Sequence, residues 1–214
     1  MATVQSFIFN PFSENTYVVY DETLEAVIVD PGCFTKSERQ ELSDFISRQQ
    51  LRPVRLLNTH CHLDHVFGNR YVFEKYGLLP EIHEGELAVL EAFVGVARQY
   101  GFPIKETSPT PEKFIAQGEL IGFGSTILES LFTPGHSPAS LSFYCEAAQF
   151  ILSGDVLFRE SIGRTDLPGG NHKLLLQSIR NQLFTLPDQT KVYSGHGEPT
   201  NIGYERLHNP FLKH

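Results

Sequence analysis

A chain of 214 residues, 41% of them hydrophobic and 20% charged, is long enough to bury a substantial core and has the balance of an ordinary globular protein. Its net charge of −8, with no basic run, argues against nucleic acid as a main partner but leaves room for an anionic small molecule at a locally positive centre. No stretch has the length of a transmembrane helix, residues 1–7 lack the basic-then-apolar order of a secretory signal, and Cys33, Cys61 and Cys145 are too few and too scattered for a disulfide framework, so a single cytoplasmic domain over residues 1–214, with free thiols and no membrane partner, is expected.

Residues 4–9 read as an opening strand and 11–14 as a turn. Residues 16–20 are β-branched and aromatic, hence a strand, and 21–23 turn the chain back into a second apolar strand at 26–29, closed by Asp30-Pro31-Gly32. Residues 36–50 form an amphipathic helix with Leu42, Phe45 and Ile46 on one face. A buried strand at 54–58 and a helix at 66–76 then flank the run Thr59-His60-Cys61-His62-Leu63-Asp64-His65. Four residues of that run can bind a metal: His60, His62, Asp64 and His65. Imidazole combined with carboxylate suits zinc or iron far better than calcium or magnesium. The run lies at the carboxyl end of a strand, where open α/β sheets place their ligands.

Residues 81–83 read as a short strand, 86–100 as a helix, and 101–111, with three prolines, as a connection or part of a lid. Strands follow at 113–116, 127–132, 139–144 and 149–152, then a helix at 172–183 and a final strand at 191–194. Three more ligand-type residues, His136, Asp155 and His196, follow strand ends in this half, each beside a glycine that lets the backbone turn sharply. The candidates total five histidines and two aspartates. His83, His172, His208 and His214 fall outside the pattern, and Cys61 is expected to point away from the neighbouring ligands.

The run His60-x-His62-x-Asp64-His65 resembles the signature of the metallo-β-lactamase superfamily, and the chain as a whole resembles its glyoxalase II branch. That resemblance implies an α/β fold, a four-layer αββα sandwich of two mixed β-sheets with helices outside; periodicity alone leaves a single open sheet equally possible. It implies two divalent metal ions, zinc first, with iron or manganese as alternatives. His60, His62 and His136 would hold one ion, Asp64, His65 and His196 the other, and Asp155 would bridge them. Asp64 is thereby both ligand and catalytic residue. Two divalent ions, two aspartates and one hydroxide leave a single net positive charge, which would stabilise an oxyanion and attract an anionic substrate.

The activity so implied is hydrolysis of a small anionic thioester, of hydroxyacylglutathione hydrolase type, by a hydroxide shared between the metals. The stretch Gly163-Arg164-Thr165-Asp166 is similar to one that places a cation beside the substrate in glyoxalase II-like proteins. Arg164 could grip a substrate carboxylate there or brace the loop by pairing with Asp166. Asp30 could likewise orient a ligand imidazole or simply make the turn. The segment after His196 resembles the short ending of small bacterial glyoxalase II-like hydrolases, and the glutathione-holding helical domain of full-length glyoxalase II is expected to be missing. The rival readings are a mononuclear-iron persulfide dioxygenase and a non-catalytic metal-binding domain.

Overall fold

A computed structural model describes residues 1–213; His214 lies outside the described residues. Five strands form the first sheet: β1 Thr3–Phe9, β2 Glu14–Tyr20, β3 Glu25–Val29, β4 Arg52–Leu57 and β5 Pro80–Glu81, side by side in that order. β1, β2 and β3 pair antiparallel, whereas β3, β4 and β5 run parallel. The second sheet is built from β6 Leu120–Phe123, β7 Thr126–Phe132, β8 Leu141–Cys145 and β9 Phe150–Gly154, and a small hairpin of β10 Leu157–Phe158 and β11 Ser161–Ile162 follows it. β12 Lys191–Ser194 adds to this sheet parallel to β9, and β13 Thr200–Asn201 closes it antiparallel to β12. Both sheets are therefore mixed.

Three apolar layers hold the molecule together. Between the sheets, Tyr17, Val19, Val27 and Val29 of the first meet Leu128, Leu141, Phe143 and Leu152 of the second. The alternate residues of β2 and β3, Val18, Ala26 and Ile28, face outward onto Leu42, Phe45 and Ile46 of helix α1 (Lys36–Arg48). The period of two thus sends one set of side chains to each side, and both are buried. On the far side of the second sheet, Ile151 and Val192 pack on Leu175 and Ile179 of one helix and Ile202 of another. The four layers that the family resemblance implies are present. α1 starts where its cap dictates: Thr35 Oγ1 accepts from Glu38 N while the Glu38 carboxylate accepts from Thr35 N, a reciprocal pair worth about 1 kcal/mol.

Several elements differ from the sequence reading. The helix expected over 66–76 is two, α2 Leu63–Val66 and α3 Asn69–Tyr76. They break at Gly68, whose N–H donates to the Pro31 carbonyl and not to Asp64 four residues back, the Asp64 carbonyl accepting from Asn10 Nδ2 at 3.0 Å; a Cβ at Gly68 would lie 2.6 Å from the Pro31 oxygen. The helix expected over 86–100 is a 3-10 turn, Glu84–Glu86, followed by α4 Leu87–Glu91 and α5 Phe93–Gln99. The strand expected at 113–116 contributes only an isolated bridge between Ile82 and Phe114. The helix expected over 172–183 is α6 His172–Asn181 and a short 3-10 turn, Leu183–Thr185. β6, the β10–β11 hairpin, β13 and the last helix, α7 Ile202–His208, carry too few residues to show a period in the sequence. Among the described residues no helix is long and apolar enough to cross a membrane, and the three cysteines are free and buried.

Candidate metal centre

The seven predicted ligands come together at the carboxyl ends of β4, β7, β9 and β12. His62 caps α2, so Asp64 and His65 fall in the first turn of that helix, while His60 sits on the loop before it. The ligand nitrogens of His60, His62 and His136 lie within 4.8 Å of one another, and so do ligand atoms of Asp64, His65 and His196. Asp155 stands between the two groups. Its Oδ1 is 3.4 Å from His65 Nε2, and its Oδ2 is 3.5 Å from both His136 Nε2 and His196 Nε2. His196 Nε2 is also 3.1 Å from Asp64 Oδ2, and His62 Nδ1 is 2.8 Å from His136 Nε2.

Four of the five imidazoles, all but His62, are aimed by what holds the other nitrogen. His65 Nδ1 meets Asp30 Oδ2 at 3.1 Å, His60 Nδ1 meets Thr59 Oγ1 at 3.1 Å, His136 Nδ1 meets the Arg164 carbonyl at 2.7 Å, and His196 Nδ1 meets the Phe12 carbonyl at 3.1 Å. Such contacts fix the ring and its tautomer and leave the opposite nitrogen free to ligate. Asp30 both turns the chain, at φ +48°, and orients a ligand. Its carboxylate accepts from Thr59 N and Thr59 Oγ1 as well as facing His65, which commits it behind the ligands. Asp30, His60 and His65 also cluster as a possible metal group, but this commitment assigns Asp30 to support.

The remaining positions follow from close packing. Gly195 is required beside His196, because a Cβ there would lie 2.1 Å from Asp155 Oδ1. Cys61 is buried in an apolar cluster with Leu63, Val66, Phe67, Ile82 and Phe93, pointing away from the ligands as expected, and burial pushes its thiol well above the usual range. The Arg164 guanidinium makes a two-toothed pair with Asp166, at 2.7 and 2.6 Å, while lining the cavity beside the metal residues. Its backbone carbonyl, on His136, is the contact that the sequence could not show.

Three supporting carboxylates or amides also escaped the sequence reading. Glu86, in the 3-10 turn before α4, is fully buried. Its Oε2 accepts from Cys61 N at 2.9 Å and Ser137 Oγ at 2.8 Å, and its Oε1 accepts from Ala139 N at 2.8 Å. One carboxylate thus ties the His60–His62 loop to the His136 loop. Asn15 donates to the carbonyls of Ser194 and Gly197, on either side of His196. Glu14 is buried with its Oε1 3.9 Å from His65 Nδ1. Burial pushes its carboxyl well above the usual range, favouring the neutral acid.

The charges of the cluster sort into two kinds. Burial, then the surrounding imidazoles, holds His60 well below the ordinary histidine value, and burial with His136 pushes His62 down to about 4. At His65 burial opposes the charge, but Asp64, Asp155 and Asp30 outweigh it and raise the imidazole well above its ordinary value. His196 is raised in the same way, against burial, by Asp64 and Asp155. Asp64 and Asp155 stay below the usual carboxylate range, since the attraction of His65 and the other imidazoles overcomes the burial that opposes it. His60 Nε2, His65 Nε2 and Asp155 Oδ1 are buried without a hydrogen-bond partner. An orphaned polar atom costs about 1–3 kcal/mol, and three of them in one cluster of imidazoles and ionised carboxylates is the donor set that divalent metal ions satisfy.

A cavity of about 780 Å³ opens onto His62, Asp64, His136, Asp155 and His196. Its other walls are drawn mainly from α4, α5, Phe12 and residues 158–169.

The family model described as the metallo-beta-lactamase superfamily matches residues 9–196. The chain is 39% identical to "Probable metallo-hydrolase YqgX" of Bacillus subtilis (strain 168), covering 94% of this chain and 93% of the relative. It is 34% identical to "Hydroxyacylglutathione hydrolase GloC" of Haemophilus influenzae, over 94% and 93%. Among solved structures it is similar to the BLEG-1 B3 metallo-beta-lactamase, with a TM-score of 0.90 and 39% identity over 99% of this chain and 100% of the other. It is also similar to TTHA1623 in a di-iron-bound form, with a TM-score of 0.87 and 35% identity over 98% and 100%. Fold, ligand cluster and near-complete coverage agree, and the chain belongs to the metallo-beta-lactamase superfamily.

Proposed function

We propose that this metallo-hydrolase cleaves small thioesters, in the manner of glyoxalase II, with two divalent ions held by His60, His62 and His136 and by Asp64, His65 and His196. The observation that carries this reading is Asp155, whose two carboxylate oxygens face both groups at 3.4–3.5 Å. When bound, two such ions supply a hydroxide nucleophile near neutral pH and a Lewis acid for the carbonyl oxygen. The name of the Haemophilus relative supports the thioester class, and the di-iron neighbour makes iron as well as zinc a candidate at this centre. Three free, buried thiols suit action in the cytoplasm.

The chain's own residues do the rest. Asp30, Thr59 and the carbonyls of Phe12 and Arg164 aim the imidazoles. Asp64 and Asp155 bring negative charge that offsets half of the charge of two divalent ions. Every histidine, aspartate and glutamate lining the cavity belongs to the seven ligands. A thiolate leaves without a proton, which fits a cavity with no spare carboxylic acid or imidazole to supply one. Arg164, half-exposed at the rim, would grip an anionic substrate group by exchanging Asp166, and an exposed ion pair of that kind is worth about 1 kcal/mol or less.

The test is metal content per chain, measured on protein purified without added metal, with S-lactoylglutathione hydrolysis assayed on the same sample. About two ions per chain with turnover is expected. A single iron, no hydrolysis, and oxygen uptake with glutathione persulfide would replace this reading with a dioxygenase. The BLEG-1 likeness supports a second reading, opening of a β-lactam ring, which nitrocefin on the same sample would detect. A lactam nitrogen needs a proton to leave, and the lining favours the thioester on that ground.

A further inference from the structure

The cavity is built from two chemically different parts. One end holds the ligands. Beyond them the wall is apolar: Leu63, Phe93 and Ile162 are buried along it, and Val89 and Val96 of α4 and α5 are partly buried beside them. Phe12 and Tyr100, in edge-to-face contact at 5.7 Å, extend the same wall outward. Charge appears at the rim. Arg164 is the cavity's cationic lining residue other than the histidines, its side chain is 58% exposed, and its fork is spent on Asp166, itself 67% exposed.

A glutathionyl group carries two carboxylates, an ammonium and two amides. Laid along the inner wall these would lose water and, apart from Gln99, Ser161 and the Tyr100 hydroxyl, find no side-chain partners, at about 1–3 kcal/mol for each neutral group and more for each charge. An aliphatic or aromatic group would lose nothing there and gain its burial. The volume of about 780 Å³ is that of a pocket for a drug-sized molecule and far exceeds what a three-carbon acyl group fills.

We propose that the inner cavity takes an apolar acyl chain, of medium length or aromatic, and that the polar thiol carrier leaves through the rim past Arg164. This deepens the thioesterase reading and rests on it. The preferred substrate is then a thioester whose acyl half is hydrophobic and whose carrier supplies the negative charge.

The test is a series of glutathione thioesters, from acetyl through butyryl and hexanoyl, assayed on the metal-loaded protein. The expected result is a rise in kcat/KM of about fourfold per added methylene, the factor that burial of one CH2 produces. Val96→Asn, similar in volume but polar, should lower the preference for the hexanoyl over the acetyl thioester, read as the ratio of the two kcat/KM values, about tenfold. Binding of acetate, butyrate and hexanoate, measured by calorimetry on the same unsubstituted protein, should tighten along the series with a heat-capacity change that grows more negative. Turnover that is flat or falls with chain length, with carboxylate affinities equally flat, overturns the apolar acyl site and leaves the thioesterase standing. Carboxylates that tighten with length on a protein that hydrolyses none of the thioesters uphold the site and remove the thioesterase.

Discussion

Replacing Glu86 by glutamine keeps the size of the side chain and removes one acceptor oxygen and the charge. In the parent, two backbone N–H groups and one hydroxyl converge on that carboxylate at 2.8–2.9 Å, all of them buried. Whichever way the new amide turns, its NH2 faces a donor. With the nitrogen toward Ala139 N, one backbone N–H is orphaned, at about 1–3 kcal/mol. The two bonds that survive fall from charge-assisted to neutral strength, a further loss of about 1 kcal/mol each. The sum is about 3–5 kcal/mol, a large part of the 5–15 kcal/mol typical of a domain, so the variant should fold but melt early. Cys61 lies between His60 and His62, and Ser137 follows His136, so the metal site of those three histidines should weaken by about 10–100-fold while the Asp64–His65–His196 site is affected less. Urea denaturation gives the stability, and competition with a chelator followed by metal analysis gives the two affinities. A variant within 1 kcal/mol of the parent, with both affinities unchanged, would refute the idea that one carboxylate clamps the two loops.

Other perturbations read other parts of the site. Asp155→Ala should lose at least one ion per chain and all thioester turnover, and retention of two ions with full activity would remove the bridging assignment. Asp64 and Asp155 favour the charged form of His65 and His196 in the metal-free protein, so metal uptake should displace protons. Calorimetry in buffers of different ionisation enthalpy should show that release, with affinity falling as pH is lowered; heats independent of the buffer would contradict it. Because burial favours the neutral acid at Glu14, Glu14→Gln should stay within about 1 kcal/mol of the parent in thermal unfolding, whereas an equal loss in the glutamine and alanine variants would show that the charge matters. Asp21 ties the two sheets together by accepting from Thr23 in the β2–β3 turn and from Ser125 and Thr126 at the β6–β7 turn. Burial opposes its charge, but those hydrogen bonds hold its carboxyl below the usual range. A depressed carboxyl stabilises the fold above its unfolded value and loses that contribution as pH falls through its folded one. Asp21→Asn should therefore cost about 2–4 kcal/mol at pH 7, with the gap to the parent narrowing below about pH 4 in acid denaturation; a constant gap would count against this account.

The sequence by itself determined the seven candidate ligands and most of the strands that carry them. Four ligands crowd into His60–His65, and each of the other three follows an apolar run beside a glycine, so their meaning survives in one dimension. Continuous apolar runs in β2 and β3 also announce strands whose two faces are both buried. What aims those ligands was decided only in three dimensions. Glu86 reaches Cys61 across 25 residues and Ala139 across 53, and Asn15 reaches the carbonyls around His196 across 179 and 182. Single residues at such separations leave no period and no motif. Arg164 illustrates the same limit. Its motif left the guanidinium between a substrate group and Asp166, and the fold pairs it with Asp166 while setting its carbonyl on His136, a backbone contact that no residue type encodes. The apolar cavity wall arises where α4 and α5, broken at Ala92, lean over the ligands. Metal ligands are legible because few side chains can do their chemistry, whereas positioning and cavity shape can be supplied by almost any residue that the fold brings near.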